Sequence, residues 1–309
     1  MLAGKTVKLQ SNVSPVTRKA RTKKHSWIAY LFLLPTFVSI VIFSYYPAIR
    51  ALMGAFTDWD GFNSPQFIGF QNFSRLFHDP VFLASLWHIL IWTVIGIPLS
   101  ILPSFAVAEL IFHLRGQRSQ YVYRTVFILA MVIPGVVVIL LWEFIYQPSG
   151  ILNQLFQDLG LSSWKREWLA NPHYALGSLI GLGFPWVNPF NLLILYAGLQ
   201  SIPVELMDAA SVDGVGLWNR IFKIDIPLVT SQFKLLLILA IVGVSQNLLT
   251  PMLLTGGGPG TSTVTPVFYM YQTSIDYGQY GYGMSVAFLI FLFVGILAVV
   301  NMKYVQSSD

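Results

Sequence analysis

Six stretches of the chain are almost continuous in apolar side chains, at roughly 27–47, 86–112, 125–147, 174–200, 233–254 and 284–304. Each is long enough to cross a hydrocarbon core of about 30 Å as a helix, which takes about 20 residues. Backbone amides in lipid must be paired inside their own segment, so the runs predict helices rather than strands of an open sheet. The expectation is an all-α membrane protein of six transmembrane helices, with a basic tail over 1–26, a spanning domain over 27–304 and a short tail over 305–309. The first run has no small-x-small cleavage site near Tyr45-Tyr46-Pro47 and is read as a retained span rather than a signal peptide.

Proline and glycine interrupt this pattern. Pro98 and Pro103 in the second run and Pro134 in the third remove helical hydrogen bonds and are expected to bend their helices. The fourth run contains Gly181-Leu182-Gly183-Phe184-Pro185-Trp186-Val187-Asn188-Pro189-Phe190-Asn191. Irregular backbone at that depth survives only against protein or a water-filled cavity.

Composition agrees with the pattern: 55% of residues are hydrophobic and 10% charged, against roughly 25% charged in soluble domains. A soluble globular protein is excluded. The net charge of +5 is topological rather than a nucleic-acid signal. If the N-terminus is cytoplasmic, 14 of the 18 basic residues fall inside, and only Arg50, Arg75, Lys165 and Arg166 fall outside. By the positive-inside bias both termini are then cytoplasmic. With no cysteine, disulfides, a thiolate nucleophile and Cys-based metal sites are ruled out.

The outward loops, about 48–85 and 148–173, carry turn signals such as Asp58-Trp59-Asp60-Gly61 and Asn63-Ser64-Pro65, and interfacial Trp164 and Trp168. Thr255-Gly256-Gly257-Gly258-Pro259-Gly260 lacks the Lys-Ser/Thr of a phosphate-binding loop and is expected to be a flexible turn. Histidines 25, 78, 88, 113 and 173 are scattered without paired acids, so no catalytic or metal constellation is expected. Glu109, Glu143 and His88 lie near span ends, where solvated side chains are expected. Trp186, Asn188, Asn191, Ser245, Gln246 and Asn247 are the mid-depth groups that suit a polyhydroxylated ligand, through amide hydrogen bonds and ring stacking.

The inner connector, about 201–232, is the most informative stretch. Pro203 suits a helix start, Glu205 and Asp208 suit the positive end of the helix dipole, and Gly214 suits a stop. The short helix presents small and acidic groups with no broad apolar stripe, a rod for another protein's groove rather than a lipid anchor.

This stretch resembles the EAA signature of permease subunits of ATP-binding-cassette importers. It reads Asp208-Ala209-Ala210, three residues, Gly214, nine residues, Ile224, Asp225, Ile226-Pro227, so Asp replaces Glu and Ile replaces Leu. The likeness narrows to the carbohydrate-uptake branch, similar to the maltose and glycerol-phosphate permeases. It does so through Gly69-Phe70-Gln71-Asn72-Phe73, Ser149-Gly150-Ile151-Leu152-Asn153, Gly183-Phe184-Pro185 and Gly257-Gly258-Pro259. The resemblance implies a type I importer core (MetI-like) in the bacterial cytoplasmic membrane. Its expected partners are a second homologous permease, two cytoplasmic ATPase subunits that bind ATP and Mg, and an extracytoplasmic solute-binding protein. This chain itself would bind no cofactor and catalyse no reaction.

Glu205, Asp208, Ala209, Ala210, Asp213 and Gly214 then form the coupling helix. Leu182, Gly183 and Trp186 carry over from the family's pocket pattern, and Asn247 from its polar position before Gly-Gly-Pro. The chain runs about one turn longer than that pattern between Pro185 and Gly198, so Asn188 and Asn191, like Gln246, rest on their own chemistry as pathway residues. An ion-coupled secondary sugar transporter is the alternative; inverted repeats and buried coupling carboxylates, its usual marks, are not evident.

Overall fold

The computed structural model describes residues 26–304, with side chains placed for 30–300. The tails expected at 1–26 and 305–309 lie outside the described residues except for Ser26. Apart from one isolated bridge, Thr57 to Phe67, all regular structure among the described residues is helical. The described residues divide into two compact units, with the boundary between Ile49 and Arg50.

The helices are α1 (Tyr30–Gly54), α2 (Gln71–Leu76), α3 (Pro80–Phe112), α4 (Gln117–Val132), α5 (Gly135–Tyr146), α6 (Ile151–Asp158), α7 (Pro172–Gly181), α8 (Pro189–Gln200), α9 (Val204–Val212), α10 (Leu217–Leu228), α11 (Thr230–Ser245), α12 (Leu249–Leu254), α13 (Pro266–Tyr271) and α14 (Tyr280–Tyr304). α1, α3 and α14 are each long and apolar enough to cross a membrane alone. The bent pairs α4–α5, α8–α9 and α10–α11 bring the number to as many as six.

Proline acts on these helices in two ways. Pro134 separates α4 from α5, which diverge by 89°. Pro98 and Pro103, expected to bend the second span, both lie within the continuous 33-residue helix α3. Pro98 follows directly on a π-turn at Trp92–Gly96. A widened turn gives the pyrrolidine ring room beside the preceding carbonyls and absorbs the missing N–H within a continuous helix. The same arrangement recurs at Val41–Tyr45 before Pro47 and at Ile221–Asp225 before Pro227.

The core of the second unit follows helical spacing. Ile97, Ile101, Phe105, Ala108 and Ile111 form one stripe of α3, and Leu192, Leu195, Tyr196 and Leu199 form one stripe of α8; the two meet over Val229 and Leu236. A second cluster joins Leu76 and Phe82 to Val264, Phe268, Tyr269, Tyr282 and Val286. Large apolar side chains on the outward faces, among them Val94, Leu110, Val132 and Ile296, are more than half exposed, as a hydrocarbon solvent permits.

Candidate functional site

α9 is the first candidate. It is bracketed by Pro203, its N-cap, and by Gly214 at φ +68°. The Val215 N–H donates to the Ala210 carbonyl at 2.9 Å and the Gly214 N–H to Ser211 at 3.2 Å. These are the two bonds of a Schellman stop, whose left-handed position favours glycine. Ala210 and Met207 turn toward the core, whereas Glu205, Asp208, Ala209 and Asp213 are exposed. Val212 is 87% exposed and Trp218, just beyond, 71%. The helix leaves α8 at 73°, so it stands off the span and offers acids and apolar side chains to whatever approaches.

The second candidate is a pair of helix breaks. α7 ends at Gly181 and α8 begins at Pro189, with Leu182, Gly183 and Trp186 in the gap. Trp186 holds φ +59°, a conformation costing a bulky L-residue roughly 1–2 kcal/mol, while Gly183 takes +92° freely. The indole Nε1 of Trp186 donates to the Gly181 carbonyl at 2.8 Å, folding the ring back over the gap. α11 stops at Ser245 and α12 restarts at Leu249, leaving Gln246 and Asn247 in a matching break, where the Asn247 side chain accepts from the Thr250 N–H at 3.3 Å. Leu182 and Val244, flanking the two breaks, pack on one apolar cluster of Trp92, Ile139, Leu179, Ile180 and Leu254. Asn188 and Asn191 sit differently. Asn188 caps α8 by accepting from Phe190 and Asn191, and Asn191 donates from Nδ2 to the Ser100 carbonyl of α3 at 3.0 Å.

The loops that follow α1, α5 and α12 are stitched by polar side chains. Asn72 donates to the carbonyls of Ala55 and Thr57 at 3.0 and 2.8 Å. Asn153, 3% exposed, donates to Pro148 and Arg166 and accepts from the Trp168 indole at 3.0 Å. Thr255–Gly260, expected to flex, is tied down by the Thr255–Thr263 hydroxyl contact at 2.7 Å and by Thr263 donating to Gly258 at 3.0 Å. Asp79 caps α3 and also accepts from the hydroxyls of Tyr269 and Tyr282. Burial pushes its carboxyl up, but the bonds from both phenols and from the Phe82 and Val81 N–H groups outweigh this and hold it below the ordinary carboxylate range.

Sequence reasoning missed a buried charge cluster where α3 meets α10. Glu109, expected at a solvated span end, is 5% exposed because α10 covers it, and Asp225 opposite is fully buried. Arg220 Nε stands 3.4 Å from Asp225, and His113 Nδ1 3.4 Å from Glu109. The i, i+4 spacing of Glu109 and His113 was the available signal; the covering by a connector more than 100 residues away was not.

A family model described as a binding-protein-dependent transport system inner membrane component matches residues 96–307. The chain is 31% identical to the probable ABC transporter permease protein YurN of Bacillus subtilis, over 91% of this chain and 97% of that protein. It is 30% identical to the sn-glycerol-3-phosphate transport system permease protein UgpA of Escherichia coli, over 91% and 95%. It is 29% identical to the sulfoquinovosyl glycerol transport system permease protein SmoG of Agrobacterium fabrum, over 91% of each. Among solved structures, a chain of a bacterial ABC transporter involved in the import of the acidic polysaccharide alginate superposes with a TM-score of 0.75. That match has 22% identity and covers 92% of this chain and 98% of the other.

Proposed function

The chain belongs to the family of binding-protein-dependent transport system inner membrane components, and from that premise we propose that it is the membrane-spanning subunit of an ATP-driven importer carrying a saccharide inward by alternating access. The observation that carries this reading is α9, a Schellman-closed helix projecting from the spans and matching the EAA spacing from Asp208 to Pro227. Relatives named for glycerol phosphate, sulfoquinovosyl glycerol and starch degradation products support a carbohydrate or carbohydrate-like substrate, an oligosaccharide fitting best. The relatives give no support to the ion-coupled alternative.

In this reading both termini face the cytoplasm. Glu205, Asp208, Ala209, Ala210, Asp213 and Gly214 dock in a cleft of one of two cytoplasmic ATPase subunits, which bind ATP and Mg. A second homologous permease completes a heterodimer, and a solute-binding protein delivers the sugar to the loops stitched by Asn72 and Asn153. Leu182, Gly183, Trp186, Gln246 and Asn247 line the path at the two helix breaks. Asn188 and Asn191 belong to the same path, holding the α8 end of the gap against α3.

ATP-driven closure of the ATPase pair moves α9, and the breaks let the halves of the spans swing apart so the cavity alternates. Affinity purification of the tagged chain in mild detergent tests the docking. Co-elution of a nucleotide-binding ATPase is expected, and a wild-type chain that never retains one would refute the reading.

A further inference from the structure

The charge cluster between α3 and α10 plays no part in that account. Glu109 is 5% exposed and Asp225 fully buried, and neither carboxylate oxygen of either residue has a hydrogen-bond partner. Buried polar groups are almost always satisfied, and buried charges are paired or bind metal. Arg220 supplies one positive charge, 3.4 Å from Asp225, with its guanidinium held over the Phe112 ring at 5.7 Å. Two buried carboxyls therefore share one guanidinium, and neither gains a hydrogen bond from it.

We infer that Glu109, His113 and Asp225 form a binding site for a first-row divalent cation that ties the end of α3 to α10. One ligand atom from each of the three residues lies within 4.8 Å of the others. His113 Nδ1 is 2.8 Å from the Glu109 main-chain carbonyl. The same nitrogen stands 3.4 Å from the Glu109 carboxylate, so a metal would take whichever ring nitrogen carries the lone pair. One imidazole and two carboxylates suit zinc or manganese rather than magnesium, which favours an all-oxygen, largely hydrated shell. A cavity of about 630 Å³, lined also by Gln200, Ile202, Val204 and Met207, reaches the edge of the cluster at His113 and Arg220. Occupancy would cross-link the connector that leads out of α9 to the spanning core and so restrain its movement.

The test does not depend on the importer reading, since metal content is its readout. The full chain, purified in detergent with any affinity tag removed, is stripped with chelator, equilibrated with micromolar Zn²⁺ and desalted, and its bound zinc is measured. The wild type is expected to retain about one equivalent per chain more than Glu109→Gln, Asp225→Asn and His113→Ala. A tenfold excess of Mg²⁺ is expected to leave that zinc in place. Equal zinc in wild type and variants would overturn the site, meaning that a proton neutralises the pair or that zinc binds elsewhere; displacement by Mg²⁺ would overturn the assigned metal class. Should Glu109→Gln fail to fold, His113→Ala, at the partly exposed edge, carries the comparison.

Discussion

The Tyr282 hydroxyl donates a 2.8 Å hydrogen bond to the Asp79 carboxylate, joining residues 203 positions apart and locking the start of α3 to the start of α14. Tyr269 donates to the same oxygen, and Arg75 lies over the Tyr282 ring at 4.1 Å. Asp79→Ala removes an N-cap and the acceptor for two phenols, so it is expected to cost about 2–4 kcal/mol and to lower the thermal midpoint of the detergent-solubilised chain. Asp79→Asn, which keeps a capping oxygen, should lose less. The folded-state pKa is depressed, so this stabilisation is present above the ordinary carboxylate value of 3.8 and is lost as pH falls through the lower folded value. A midpoint unchanged in Asp79→Ala would contradict the lock.

Gly214 isolates a backbone effect from a steric one. A Cβ built there meets nothing within 4 Å, yet φ is +68°. Gly214→Asn should therefore be tolerated better than Gly214→Ala, and Gly214→Val least, with roughly 1–2 kcal/mol lost for the worst. Retention of the ATPase on the purified chain should fall in that order while membrane insertion persists. Equal behaviour of all three would show that the left-handed stop is not what orders α9.

Asn153 holds the loop after α5 through bonds to Pro148, Arg166 and Trp168. Asn153→Leu leaves these groups unpaired at about 1–3 kcal/mol for a buried one. Limited proteolysis should then cut faster between Ser162 and Trp168, with the helices unaffected. An unchanged cleavage rate would remove this residue from the loop's scaffold.

These pairings mark what the sequence made legible. The spans, the connector helix and its glycine stop follow from local patterns: apolar run length, proline and glycine positions, and the dipole preference of Glu205. The break at Gly181–Pro189 was equally readable, because two glycines and two prolines cannot sustain a helix. What stayed hidden depends on distant covering. Glu109 reads as a span-end acid until α10 lies over it, and the two tyrosines that reach Asp79 lie 190 and 203 positions along the chain. Asn72, Asn153 and Asn191 were visible as polar residues, but their carbonyl partners follow only from the packed chain.

Trp186 should act on sugar rather than on coupling. Trp186→Ala removes a stacking face worth about 0.5–1.5 kcal/mol. The saccharide concentration for half-maximal uptake should then rise up to about tenfold, with ATPase retention unchanged. Loss of ATPase retention alongside uptake would instead make Trp186 a folding residue of the α7–α8 gap.

Uptake in proteoliposomes tests ATP-driven import through this chain most directly. The chain is reconstituted with the permease and ATPase subunits that co-purify with it, the binding protein loaded with labelled saccharide is supplied outside, and ATP is trapped within. Accumulation that requires trapped ATP, survives collapse of proton and sodium gradients and disappears with Gly214→Val is the predicted result. Accumulation that proceeds without ATP and follows an imposed ion gradient would contradict the account.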